Sequence, residues 1–263
     1  MPKKVAVLGC GPARDFRLDA AELTFLDVDQ VDALPECDAV VLLGDPAASG
    51  GHEDLLRRNI GWVRAAAVAT ARRAPHAALV VAVRPINALA LAALRAGSLP
   101  RSRVLGAAGL TASLRLAGGI GRALGLAASE VRTTVLGGCG EFLVALPRLW
   151  SVGGIPATEL LSREELGRLA REAGEPFSPE ELLAAAMRLT AALFCGCRRL
   201  QSCSAYLDGE YGLHGIFLAV PAVLGPGGLE RIVQLNLQVG ERMALHKAAA
   251  SARALRANLE EAL

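Results

Sequence analysis

A chain of 263 residues, 52% hydrophobic and 21% charged with a formal net charge of +2, is too apolar and too weakly charged to remain disordered. The same balance removes the field that nucleic-acid binding needs, and no basic stripe interleaved with aromatics appears. The length suits one large or two small domains with a real core, and with aromatics at only 4% that core has to be built from Ala, Leu and Val.

The first residues, Met1-Pro2-Lys3-Lys4, run straight into the strand-like Val5-Ala6-Val7-Leu8. That apolar stretch is too short for a secretion signal, so a cytoplasmic protein is expected. Residues 4–8, 23–27, 39–43 and 79–83 are β-rich, and each stretch ends near Gly, Asp or Pro. Between the last two, residues 53–73 place Leu55, Leu56, Ile60, Val63, Ala67 and Ala71 at helical spacing opposite arginines. This is an amphipathic crossover helix. A second helix is predicted over 86–96, stopping at Gly97, and a third over 110–124, weakened by Gly118, Gly119 and Gly121. Such alternation implies a parallel sheet with crossover helices. The pattern changes near residues 108–110, which divides the chain into a doubly wound half, 1–108, and an α+β half, 109–263.

In the second half Ser162 with Glu165 and Ser178 with Glu181 form capping boxes that start consecutive helices, Pro179 opening the latter. Strands are predicted at 132–136, 142–146, 200–207, 216–223 and 232–237, and residues 240–263 form one Ala/Leu/Arg helix. The longest uncharged apolar run, residues 215–229, is 15 residues long and broken by Pro221 and Pro226. It falls short of the roughly 20 residues a membrane helix requires, so no membrane partner is expected. The six cysteines, Cys10, Cys37, Cys139, Cys195, Cys197 and Cys203, read as reduced, buried small residues. Cys195-Gly196-Cys197 with Cys203 offers three thiolates but neither a fourth ligand nor the spacing of zinc pairs, so no metal is expected. Arg198 and Arg199 read as an exposed turn, and His214 as a surface residue.

Gly9-Cys10-Gly11-Pro12-Ala13-Arg14 follows the first strand and supplies two glycines of the dinucleotide fingerprint, with Arg14 where a third would stand. The first glycine permits a tight turn and the second lets a pyrophosphate approach backbone N–H groups at a helix N-terminus. Asp27, 18 residues after Gly9, stands where an acid would bind the ribose hydroxyls. A plain strand-end carboxylate is the alternative reading of Asp27.

From residue 39 onward several segments stand in a telling order: Asp38-Ala-Val-Val-Leu-Leu-Gly44-Asp45-Pro46, Asp54-Leu-Leu-Arg-Arg-Asn59, Arg103-Val-Leu-Gly-Ala-Ala-Gly109, Leu136-Gly-Gly-Cys-Gly140, Leu146-Pro147-Arg148, Ser151-Val-Gly-Gly-Ile-Pro156 and Ser204-Ala-Tyr-Leu-Asp-Gly-Glu-Tyr-Gly212. In order and spacing they resemble the lactate/malate dehydrogenase family over roughly residues 39–260. The resemblance implies a shortened Rossmann-type parallel sheet, residues 1–108, followed by an α+β domain, residues 109–263. It also implies NAD at Gly9, Gly11, Asp27 and Gly44, and hydride transfer between 2-hydroxy and 2-oxo acids.

The departures from that family gather at its catalytic positions. The proton-exchanging His becomes Cys139 in Gly137-Gly138-Cys139-Gly140-Glu141, and the Asp that orients it becomes Ala112. The arginine that clamps the substrate carboxylate survives as Arg115, while the turn Val83-Arg84-Pro85 has Arg84 in place of the Asn that contacts substrate. Both mobile-loop arginines are missing from residues 46–53, where Glu53 would repel an anion. Removing one acid–base group costs on the order of 10²–10⁴ in rate, so no competent catalytic residue is expected here. Cys139 reads as a small residue filling vacated space; as a reactive thiol it would need a His or Lys beside it, and His52, His76, His214 and His246 fall elsewhere. Only eleven residues separate Gly11 from Leu23 and nine separate Asp27 from Cys37, where the family has a longer helix and then a further helix and strand. Two functions therefore stay open. One is a degenerate member serving as a non-catalytic subunit, scaffold or small-ligand binder, in a homo-oligomer or with a protein partner, and pairing a small anion with Arg115 or Arg84. The other is an NAD-dependent dehydrogenase with an altered substrate and proton donor.

Overall fold

The computed structural model of the chain describes residues 2–9, 21–44, 50–138 and 142–261. Its most apolar runs become the inner strands of a parallel sheet, whose two faces are both covered. β1 (Lys3–Leu8), β3 (Ala39–Leu42), β4 (Ala78–Val81) and β5 (Val104–Gly106) are buried along nearly their whole length. β2 (Ala21–Leu26) alternates exposed and half-buried residues because it is the edge strand. The parallel order is β2-β1-β3-β4-β5, with the topological switch at β1. That switch opens a crevice at the C-terminal ends of β1 and β3. Between β2 and β3 stands only one 3-10 turn, Val31–Ala33, so the shortened first half inferred from the spacing is what the chain builds.

Helices α1 (His52–Arg73) and α2 (Ile86–Gly97) lie against each other. α2 stops at Gly97, where its sequence predicts, and Ser98 takes the left-handed conformation at φ +50°. A Cβ at position 97 would sit 2.8 Å from the Ala67 carbonyl oxygen, so the glycine also serves the contact between the two helices. Residue 108, where the change of pattern placed the end of the first half, opens α3 (Ala108–Leu124).

The sheet continues into the second half. β11 (Arg199–Asp208) pairs antiparallel with β5 through Ser204 and Gly106, then with β12 (His214–Gly225). Beyond β12 come β7 (Val135–Gly137) and β8 (Leu143–Ala145), and β13 (Gly228–Ile232) returns along β12 after a tight turn. β6 (Val131–Arg132), β9 (Ser151–Val152) and β10 (Ile155–Pro156) form a separate small sheet. Thus the single strand predicted at 132–136 is divided between two sheets. The strand predicted at 232–237 ends at Ile232, because side chains take over its backbone groups: the Tyr211 hydroxyl donates to the Val233 carbonyl at 2.9 Å and accepts from the Leu235 N–H at 3.0 Å.

α4 (Ala157–Leu160) is one turn long, and α5 (Arg163–Gly174) and α6 (Pro179–Phe194) begin at the two capping boxes. The Glu165 N–H donates to Ser162 Oγ at 3.2 Å while the Ser162 N–H donates to the Glu165 carboxylate at 3.1 Å. Ser162→Ala is expected to lower stability by about 1 kcal/mol, read as a lower denaturation midpoint at unchanged slope. α7 (Val239–Glu261) closes the fold. One core cluster runs through both halves, and a smaller one lies where α7 meets β12. No helix among the described residues is long and apolar enough to cross a membrane. Cys37 and Cys203 are buried as their composition context suggests, but Cys195 and Cys197 are exposed. They occupy the turn between α6 and β11, outside the packed elements.

Candidate functional site

A cavity of about 560 Å³ opens where the first turn of α1, the first turn of α2, Gly138, Phe142, the loop between α5 and α6, and α7 converge. His52, Glu53 and Asp54 stand at its α1 side, behind the cap residue Gly51. Arg84 and Pro85 line it from the turn between β4 and α2. That turn is held from below: buried Asn59 donates through Nδ2 to the Arg84 carbonyl at 3.1 Å and accepts from Trp62 Nε1 at 2.9 Å. Asn87, one residue into α2, also lines the cavity, and its shielded Oδ1 has no hydrogen-bond partner among the described residues. A buried acceptor left unmet costs about 1–3 kcal/mol, which makes this amide the cavity's notable polar group beside Arg84. The rest of the wall is largely apolar, with Phe142, Phe177, Ile216 and Leu255 among it. Glu53 and Asp54 offset the charge of Arg84, which suits a dianion poorly.

Arg115, expected from the family resemblance to clamp a substrate carboxylate, does not line this cavity. Its Nε donates to Glu181 Oε1 at 2.7 Å and one Nη2 hydrogen goes to Glu181 Oε2. Nη1 donates to the carbonyls of Glu172 at 3.2 Å and Glu175 at 2.7 Å, and Nη2 to that of Pro176 at 3.1 Å. The five donors of a guanidinium are all used. Its carbon also sits 4.9 Å from the Phe177 ring centroid, a cation–π contact. The bond from Arg115, more than any other group, holds the Glu181 carboxyl below its ordinary pKa, so the pair is ionised at neutral pH. Ala112, one turn earlier on α3, is 1% exposed within the main core. Cys139 lies outside the described residues, as do Gly140, Glu141 and loop residues 45–49.

The expected nucleotide positions are a separate group. Gly9 has φ +77° and a Cβ there would lie 2.8 Å from the Gly44 amide nitrogen; Gly44 has φ +72° and a Cβ there would lie 2.5 Å from Val83 Cγ2. Only glycine permits this approach of β1 and β3 ends, which leaves bare backbone at the crevice. Asp27 is exposed just after β2, its N–H donating to Gln30 Oε1 at 2.9 Å. Gly11 lies outside the described residues. Among the expected positions the structure therefore puts Arg84 and Glu53 on the cavity, Gly9, Gly44 and Asp27 at the sheet end, and Ala112 and Arg115 in neither place.

The sequence pattern marks Glu181 only as a cap residue; nothing local announces its bond to Arg115, 66 residues away. Asn59 stands in a recognisable segment without a visible role, and Asn87 has no local signal beyond its place after a turn proline. No group of three or more His, Cys, Asp or Glu among the described residues could hold a metal ion.

A family profile for the lactate/malate dehydrogenase alpha/beta C-terminal domain matches residues 183–263. The chain is 31% identical over 268 residues to a malate dehydrogenase of Thermomicrobium roseum, covering 96% of this chain and 84% of that protein. It is 34% identical over 254 residues to one from Synechocystis sp., covering 90% and 76%. Its fold matches the malate dehydrogenase structure from Salinibacter ruber with a TM-score of 0.85 at 22% identity, over 98% of both chains. It also matches the lactate dehydrogenase from Eimeria maxima determined with NADH and oxamate, with a TM-score of 0.86 at 19% identity over 100% and 95%.

Proposed function

This chain belongs to the lactate/malate dehydrogenase family, and we propose that it is a catalytically degenerate member: a small-ligand binder without 2-hydroxy-acid dehydrogenase activity. The observation that carries this reading is the closed Arg115–Glu181 clamp. A guanidinium whose five hydrogens already have acceptors inside the chain has none left for a substrate carboxylate. Ala112 supports the same reading, since no carboxylate stands at its position to orient a proton carrier at residue 139. The cavity remains a competent receptor for a small, mainly apolar molecule with one hydrogen-bond donor for Asn87 and at most one negative charge for Arg84. In this reading the protein works beside a second copy of itself or another chain, as a subunit or scaffold. Sedimentation of the purified chain over a range of concentrations reports that association.

A second reading, an NAD-dependent dehydrogenase with another substrate, is favoured by the bare backbone at Gly9 and Gly44. That crevice fits a dinucleotide, with Asp27 near enough in the fold's logic to serve a ribose; the group would supply hydride transfer when bound. One assay separates the readings. Purified protein with NADH and either oxaloacetate or pyruvate is expected to consume no NADH above the protein-free rate. Steady consumption of NADH by the wild-type protein above that rate would establish the enzyme instead. Calorimetric titration with NADH alone reports cofactor binding independently of chemistry.

A further inference from the structure

The turn from α6 to β11 carries reactive side chains well apart from the cavity. Cys195 caps the C-terminus of α6, Gly196 reverses the chain at φ +69°, and Cys197 comes next; both thiols are exposed. Cys195 Sγ lies 3.2 Å from Cys197 Sγ, with the carbonyls of Cys197 and Ala192 at 3.1 and 3.3 Å. Arg199, the first residue of β11, stands two residues beyond Cys197, and its positive charge acts on the Cys195 sulfur. None of these residues lines the cavity, so the chemistry of this turn does not depend on what the cavity binds.

We propose that Cys195 and Cys197 form a thiol–disulfide exchange pair that reduces low-molecular-weight disulfides and closes into an intramolecular disulfide. The Cys195 thiolate attacks one sulfur of R–S–S–R, forming a mixed disulfide and expelling RS⁻, which takes up a proton. Cys197, losing its own proton to solvent, attacks the Cys195 sulfur and expels the second RS⁻, which is protonated in turn. The chain gives up two electrons and two protons, and one disulfide becomes two thiols. Three features support Cys195 as the attacking sulfur. It is exposed, and its sulfur lies 3.2 Å from that of Cys197. Hydrogen bonds from Cys197 and Arg199 also bring its pKa from 9.0 down to about 7, against the opposing dipole of the helix end. Burial does the reverse to Cys37 and Cys203, pushing them up to about 11 and about 12. At pH 7 a thiol with a pKa of about 7 instead of 9.0 is roughly fiftyfold more ionised. After a roughly six- to tenfold loss of intrinsic nucleophilicity, it exchanges about five- to eightfold faster.

The test uses the full chain, reduced, freed of reductant and incubated with oxidised glutathione at pH 7, then acid-quenched, alkylated and mapped by peptide mass spectrometry. The wild-type protein is expected to show a 195–197 disulfide and no retained glutathione. Cys197→Ser should keep glutathione on Cys195, forming that adduct about three- to fourfold faster than the thiol of an unstructured peptide, whose pKa is about 8.5. Cys195→Ser should yield no closed disulfide in this segment. A wild-type protein that holds a stable glutathione adduct on either residue, or leaves both alkylated as free thiols, overturns the proposal. So does a Cys195 that reacts no faster than the peptide.

Discussion

Ala112→Asp is expected to destabilise the protein by about 3–5 kcal/mol at pH 7 and to restore no turnover, although it puts back the carboxylate that the family's chemistry needs. Ala112 is 1% exposed on α3, inside the core shared by both halves of the chain. A carboxylate there loses water, and the Arg115 guanidinium one turn on is fully engaged elsewhere. Desolvation would raise its pKa in the folded state. Below the pKa of an exposed Asp both states are protonated, and the charge penalty is absent. The penalty grows as pH rises past that value, until the folded-state group ionises too. Denaturant titrations at pH 4 and pH 7 should therefore show a larger loss at pH 7. A loss under about 1 kcal/mol at both would mean that water or a partner reaches position 112, and the account of a vacated, sealed proton-relay position would fail.

Arg115→Ala should cost about 2–4 kcal/mol, because it strips the partner from Glu181 and three backbone carbonyls at once. Water reaches part of the pair, whose side chains are 17% and 35% exposed, which keeps the loss below that of a fully buried pair. Glu181 has its pKa lowered in the folded state, first by Arg115, so the pair stabilises above the ordinary glutamate value and loses that effect as pH falls through the lowered one. The difference between wild type and variant should accordingly narrow in acid. Arg115→Lys should not recover it, because an ammonium cannot reproduce a two-pronged bond to Glu181 together with three carbonyl contacts. Equal stability of wild type and Arg115→Ala would show that the guanidinium is not locked, and the proposed loss of activity would lose its main support.

Local chemistry was readable wherever the residues that decide it are neighbours in the chain. Ser162 and Ser178 start helices because each finds its glutamate three residues on, and the crossover helix at 52–73 arises from its apolar spacing. The missing helix and strand between β2 and β3 could be counted directly from the short interval after Asp27. Readings failed where a distant surface intervened. Residues 233–237 looked like a strand, yet Tyr211 takes their backbone groups. Cys195 and Cys197 looked like core, yet their turn projects beyond it.

The candidate site divides along the same line. Sequence alone determined the family likeness and the short interval between β2 and β3, because these are identities and spacings along the chain; the proposed loss of a His, an Asp and two loop arginines rests on the same likeness. Only the tertiary structure decided that Arg115 is spent on Glu181, that Asn87 lines the cavity with an Oδ1 unmet among the described residues, and that the two exposed thiols approach to 3.2 Å. Hydrogen bonds and burial depend on which surfaces come together, and in a chain folded across one continuous sheet those surfaces are brought from segments tens of residues apart.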